Sequence, residues 1–236
     1  VYVNHYFRED VTKEDLCTLA AMVLKIQRDS MLHQTGDFEM LLDYEKMKKR
    51  IYCRLISRNK NEDLLKTVPW IPWMDLAIVF YMEIPGKLIK NATALIRTAH
   101  MERWKITEDQ LFERAKKNLQ RRGFRMVAMT EFLGDQVECP DAEMYILNTK
   151  KPEFGAAVFV DSQVRRICAR QIGGSYYILP SSIHEVLLLP VMDEMSAWDL
   201  RQIVGTMNHQ VVSDEEVLSD HVYRYLHKCN KLIIAA

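Results

Sequence analysis

Ser175-Tyr-Tyr-Ile-Leu-Pro-Ser-Ser-Ile-His-Glu-Val-Leu-Leu-Leu-Pro190 holds two apolar runs, Tyr176 to Leu179 and Val186 to Leu189, parted by a Pro-Ser-Ser turn signal. Each run has the length of a buried strand, and proline followed by small hydroxyl residues bends the chain between them. The stretch predicts a β-hairpin in the middle of a sheet. Its polar side chains, Ser181, Ser182, His184 and Glu185, are held against an apolar background, so a site is sought there first.

Outward from the hairpin the pattern stays regular. Upstream lie an expected strand at Met144 to Asn148, a second at Ala156 to Val160, and a helix from Asp161 to Ile172 that Gly173-Gly174 stops. Downstream, Ser196-Ala-Trp-Asp199 caps a helix with Leu200, Ile203, Val204 and Met207 on one face, and Ser213 to Glu216 supplies a last cap or turn. His221 to Leu226 reads as a closing edge strand. This gives a ββα-ββα lobe over 143–236 and an α+β fold class, with antiparallel or mixed sheets flanked by amphipathic helices. Gly134 to Glu143, with Pro140, is the best linker in the chain.

The first lobe, 1–142, is read from its caps and periods. Val1 to His5 reads as a strand truncated at its start, and Thr12-Lys-Glu-Asp15 opens an amphipathic helix to about Arg28. A helical segment near Asp37, carried by Phe38, Leu41 and Leu42, gives way near Lys48 to a strand at Arg50 to Ser57. Asn59 to Leu65 is a turn with a short helix, and the prolines of Pro69-Trp-Ile-Pro72 make a rigid connector. Asp75 to Ile84 is nearly all apolar and suits a central strand, with Ala92 to Ile96 as its antiparallel return across the loop Gly86 to Asn91. Thr107-Glu-Asp-Gln110 is a capping box for a helix burying Leu111, Phe112, Ala115 and Leu119, ended by Gly123. Met126 to Leu133 is expected to be a further helix.

Composition bounds the partners. Among 236 residues, Lys+Arg 32 balances Asp+Glu 32, so no global field draws the chain to nucleic acid or an anionic membrane; an electrostatic partner must be met by a local patch. The longest apolar runs, at Leu76 and Val186, fall far short of the ~20 residues that span a bilayer, and no signal peptide is read. Cys17, Cys53, Cys139, Cys168 and Cys229 are scattered, with no Cys-x-x-Cys pair, which suits reduced thiols in a cytoplasm.

Candidate chemistry is sparse. His184-Glu185 lacks the second histidine of a helical His-Glu-x-x-His zinc motif; a looser version would bring in His221, with Glu185 as base. Ser181 and Ser182 sit in no nucleophile elbow and suit turn hydrogen bonds. Cys53 and Cys168 fall on apolar faces. Gly173-Gly174 follows a helix, the reverse of a phosphate cradle, so no cofactor is expected and no metal residue is assigned. Two basic segments stand out: 46–60, with Lys48, Lys49, Arg50 and Arg54, and 114–125, with Arg114, Lys117 and Arg121. If they converged they could hold a phosphate backbone or an acidic protein.

Asp75-Leu-Ala-Ile-Val-Phe-Tyr81, Ala99-His-Met-Glu-Arg-Trp104, the 175–190 stretch and Glu216-Val-Leu-Ser-Asp-His-Val-Tyr-Arg-Tyr225 together resemble an uncharacterised bacterial family. It is domain-of-unknown-function family 5688, seen mostly in gut clostridia and their mobile elements. The chain is more distantly similar to the bacillar YtpQ-like uncharacterised family. Members carry a strand-bearing segment before the position of Val1. The resemblance implies a bacterial cytoplasmic protein and supplies no catalytic residue.

The leading expectation is a non-enzymatic binding or interaction protein with an unknown protein or small-molecule partner and no membrane association. Its alternatives are a hydrolase, with or without metal, using His184, Glu185 and His221, with Ser182 as a further candidate site residue, and nucleic-acid binding through the two basic segments.

Overall fold

The computed structural model describes residues 39–85, 92–133, 143–151, 153–180, 182–192, 196–210 and 212–236. The expected strand at Val1, the helix from Thr12 to Arg28, the 86–91 loop, Ser181 and nearly all of the linker lie outside them. The chain divides into two compact units, Val1–Met47 and Lys48–Ala236. Of the first, the described part is a 3-10 turn, Glu39–Leu42, and one α-turn, α1 (Tyr44–Met47), where a helical segment was expected.

In the second unit β1 (Ile51–Ser57), β2 (Trp70–Trp73), β3 (Leu76–Glu83) and β4 (Thr93–Leu95) form one antiparallel sheet, and α2 (Glu62–Leu65) links β1 to β2. β3 lies at its centre. β1 runs along one edge of it, from Ile51 opposite Met82 to Ser57 opposite Leu76; β2 and β4 share the other edge. Leu76 through Met82 are all buried, as the unbroken apolar run demanded. From Trp70 on, the Pro69 to Pro72 segment, expected as a connector, is instead part of strand β2. Pro72 is tolerated there because β2 is an edge strand and needs no donor on its open side.

β5 (Phe124–Ala128), β6 (Tyr145–Thr149), β7 (Tyr176–Leu179), β8 (Val186–Pro190), β9 (Tyr223–Leu226) and β10 (Lys231–Ile234) form the second sheet, in the order β10-β9-β7-β8-β6-β5, all antiparallel. The predicted hairpin is its middle, with Tyr176 opposite Pro190 and Leu179 opposite Leu187. Between the sheets in sequence come α3 (Thr98–Trp104), unread beforehand, and α4 (Glu108–Arg122); α5 (Met129–Leu133), α6 (Ser162–Ile172) and α7 (Ala197–Gln210) follow.

Three further expectations differ from the structure. Met126 and Val127 belong to β5, so the helix begins only at Met129. Gly155–Val160, read in part as a strand, is a 3-10 helix whose first five residues are buried. A short continuous apolar run has no period that separates a buried strand from a buried helical turn. The strand at Tyr223–Leu226 is not an edge, because Asn230 (φ 51°) turns the chain back and β10 is added outside it.

The amphipathic helices cover the sheets. Leu200 and Val204 of α7 pack on Tyr177, Leu179 and Leu189 at one face of the second sheet. At the other face the Tyr176 hydroxyl donates to the carbonyl of Arg165 in α6 (3.1 Å). Trp73, Phe159 and Tyr223 meet ring to ring at 4.8 to 6.4 Å and bring β2 against the second sheet.

Helix α4 starts at a complete capping box: Thr107 Oγ1 accepts from the Gln110 N–H (3.3 Å) and Gln110 Oε1 accepts from the Thr107 N–H (3.0 Å). Thr107→Ala is expected to lower stability by about 1 kcal/mol in a urea titration. An unchanged midpoint would mean that packing alone fixes the start of this helix.

Candidate functional site

The polar residues of the central hairpin serve its bend. Ser182 Oγ accepts from the His184 N–H (3.1 Å), and the Ser182 N–H donates to the Glu185 carbonyl (3.3 Å). His184 Nδ1 accepts from the Phe154 N–H (3.3 Å), which puts the proton of a neutral ring on Nε2, facing Glu216 Oε1 at 3.5 Å. The ring also stacks on Phe154, with centroids 5.7 Å apart and planes at 15°. Both nitrogens are thus engaged, and neither offers a free lone pair to a metal or substrate. Glu185, half-buried, makes no side-chain hydrogen bond with the described residues.

His221 lies in a different cluster. Its Nδ1 is 3.1 Å from Asp75 Oδ2, so it carries the proton and leaves Nε2 open on a partly exposed ring. Asp75 gathers two further donors: Ser219 Oγ to Oδ2 (2.6 Å) and the buried Tyr223 hydroxyl to Oδ1 (2.7 Å). Burial, then the neighbouring carboxylate, pushes the Tyr223 hydroxyl pKa well up, so it stays a donor. Asn208 of α7 holds the same loop through the Ser219 carbonyl (3.0 Å) and Asp220 Oδ1 (2.8 Å). The cluster joins the turn between β2 and β3 to the strand entering β9. Asp75, Ser219 and Tyr223 were not singled out from sequence; the only signal was an acid at the head of an apolar strand.

His184 and His221 therefore share no partner, and Glu185 is with neither. Among the described residues no group of three or more His, Cys, Asp or Glu side chains is placed to hold a metal ion.

The basic segments do meet. α4 packs against β1 and the 3-10 turn Lys48–Arg50. The buried Asn118 side chain donates to the carbonyls of Lys48 and Ile51, both at 2.7 Å. At 3.6 residues per turn, Arg114 lies about 40° and Arg121 about 60° around the helix from Asn118, with Lys117 beyond, on the flank away from Ala115 and Leu119. Lys49, Arg50, Lys117 and Arg121 are exposed and Arg114 is half-exposed, and none has a carboxylate partner among the described residues. A mid-helix Asn on the apolar face was the overlooked signal.

Arg54 and Arg122 are used otherwise. The Arg54 guanidinium lies 4.8 Å from the Phe154 ring centre. Arg122, 8% exposed in its side chain, pairs with Glu83 (2.8 Å), donates to the Tyr81 hydroxyl (3.1 Å) and covers the Tyr52 ring at 3.5 Å. Burial lowers its basicity while these neighbours raise it; the balance lies above the ordinary arginine value.

The model of a family of unknown function (DUF5688) matches residues 1–227. The chain belongs to that family. No curated protein and no solved structure matches it. In this DUF5688 member the match takes in both sheets up to Leu226, the Asp75 cluster and the basic flank of α4, while β10 lies beyond it. Among the described residues no helix is long and apolar enough to cross a membrane.

Proposed function

We propose that this protein is a non-enzymatic binding protein, and that its binding surface is the basic ridge where Lys49 and Arg50 meet Arg114, Lys117 and Arg121 of α4, taking a nucleic-acid strand by its phosphates. The observation that carries the reading is the Asn118 side chain, whose bonds to the Lys48 and Ile51 carbonyls set two segments some seventy residues apart beside one another. Five cations unmatched by carboxylates among the described residues, on a chain of zero formal charge, make a local positive patch, and such a patch favours a polyanion. His184 and His221 have separate partners, which takes away the support for a hydrolase built on that pair.

The proposal places the protein in a reducing cytoplasm. Cys53 and Cys168 are buried free thiols, which burial pushes up to about 12, and Cys229 is free and exposed.

The test is fluorescence anisotropy with labelled 20-nucleotide single strands and duplexes across a salt series. Five phosphate contacts give a slope of log K against log salt of about −3.5 on single strands and about −4.5 on duplexes. Charge reversal by Lys117→Glu with Arg121→Glu is expected to weaken binding at least about tenfold at low salt. Binding that ignores salt and these changes, or no binding with retention of polyglutamate instead, would overturn the nucleic-acid assignment.

A further inference from the structure

A pocket of ≈ 260 Å³ opens where the end of α4 meets the start of α6. Its walls are Leu119, Phe124, Val158, Val164 and Ile167. Its one ionisable lining group is Asp161, 8% exposed, with Gln120 and Gln163 beside it. Asp161 caps α6: Oδ1 accepts from the Gln163 N–H (2.8 Å), while Oδ2 accepts from the Gln120 side-chain amide (2.9 Å). Both donors are neutral.

The nearest cation in sequence is committed elsewhere, because Arg165 directs Nη1 to the carbonyls of Phe159 and Val160. Asp161 therefore has no cation within ion-pair distance among the described residues; it acts on the Arg165 guanidinium only from further off. The helix dipole offsets part of the cost of a buried carboxylate, and neutral amides offset part of the rest. Each carboxylate oxygen accepts one bond here and retains capacity for another.

We infer that this pocket binds a small organic amine, a protonated primary amine on a compact apolar body. The ammonium supplies the directly bonded cation that Asp161 lacks and can donate to the side-chain carbonyl of Gln120. The body lies against Leu119, Phe124, Val158, Val164 and Ile167 and takes apolar surface out of water. A carboxylate ligand of the same shape is repelled by Asp161, and a neutral one gains only the walls. This site lies on the Leu119 flank of α4 and does not depend on the basic ridge.

The experiment is a titration of the whole chain, followed by amide chemical shifts, with phenethylamine, phenylpropanol and phenylpropionate. The expected order is amine over alcohol by at least about tenfold, with no saturable shift from the acid. Asp161→Asn keeps an oxygen to cap α6, so the fold persists while amine affinity drops at least about tenfold. Val164→Trp fills the pocket and abolishes binding of amine and alcohol alike. Equal affinity for amine and alcohol, or an amine affinity unchanged in Asp161→Asn, would overturn the inference. Should Asp161→Asn fail to fold, the ligand series and Val164→Trp still decide it.

Discussion

Gly155→Ala is expected to destabilise the protein by about 3 kcal/mol, the upper end of the cost of overpacking a well-packed interior. A Cβ on Gly155 would stand 2.5 Å from the His184 carbonyl oxygen, 2.8 Å from Asn148 Cβ and 2.8 Å from the Thr149 nitrogen. These atoms belong to the backbone or are fixed to it, so no flexible side-chain end can swing aside. Either β6 or the 182–185 turn must move, and with it the Ala156 N–H bond to the Ile183 carbonyl (3.3 Å) and the seat of His184 on Phe154. Gly205→Ala is the contrast, because a Cβ there meets nothing within 4 Å and sits in the middle of α7. It should stabilise by about 0.5–1 kcal/mol. Urea denaturation of the two variants reads both values, and a Gly155→Ala midpoint at the wild-type position would show that the 3-10 helix does not press on the hairpin.

Asp75→Ala should cost about 3 kcal/mol. It removes bonds from Ser219, His221 and Tyr223 to a charged acceptor and leaves the fully buried Tyr223 hydroxyl without one. Tyr223→Phe alone is expected to cost about 1 kcal/mol, since Asp75 keeps its other donors. Once the carboxylate is gone, the hydroxyl is a liability, so the double variant should be no less stable than Asp75→Ala. Equilibrium unfolding of the four proteins of this cycle gives the coupling, about 1 kcal/mol. Strict additivity would mean that the hydroxyl is hydrated in the folded state and that the cluster does not tie the sheets together.

The parts of this fold that were legible in sequence are those with a local physical signal. The β7–β8 hairpin announced itself because two apolar runs of strand length flank a proline turn, and β3 because seven apolar residues follow one another without a polar break. The capping box at Thr107 fixed the start of α4 because the bonds that make it span only three residues. β2 was hidden by Pro72, which forbids a central strand yet costs nothing on an edge whose open side needs no donor, and by Pro69 just before it. β10 was missed because Lys231 to Ile234 is too short to show a period, and the 3-10 turn before it carries no glycine or proline.

The candidate sites were legible only as residue types. Sequence marked His184 as a polar group in an apolar stretch and His221 as the second histidine of a looser metal motif. Sheet order then gave one to Phe154 and Glu216 and the other to Asp75, a residue 146 positions away. It likewise marked two basic segments, and Asn118 joined them by bonding the Lys48 and Ile51 carbonyls.

The α+β class, the central hairpin, the limits of α4 and α6 and the balanced charge could be read along the chain, because periodicity, caps and composition act over a few neighbouring residues. Tertiary structure alone decided which charges face one another, which carboxylate is left in a pocket and which glycine has no room for a methyl group. Those depend on strand order and register, and each strand position sets side-chain neighbours that no nearby residue in the chain encodes.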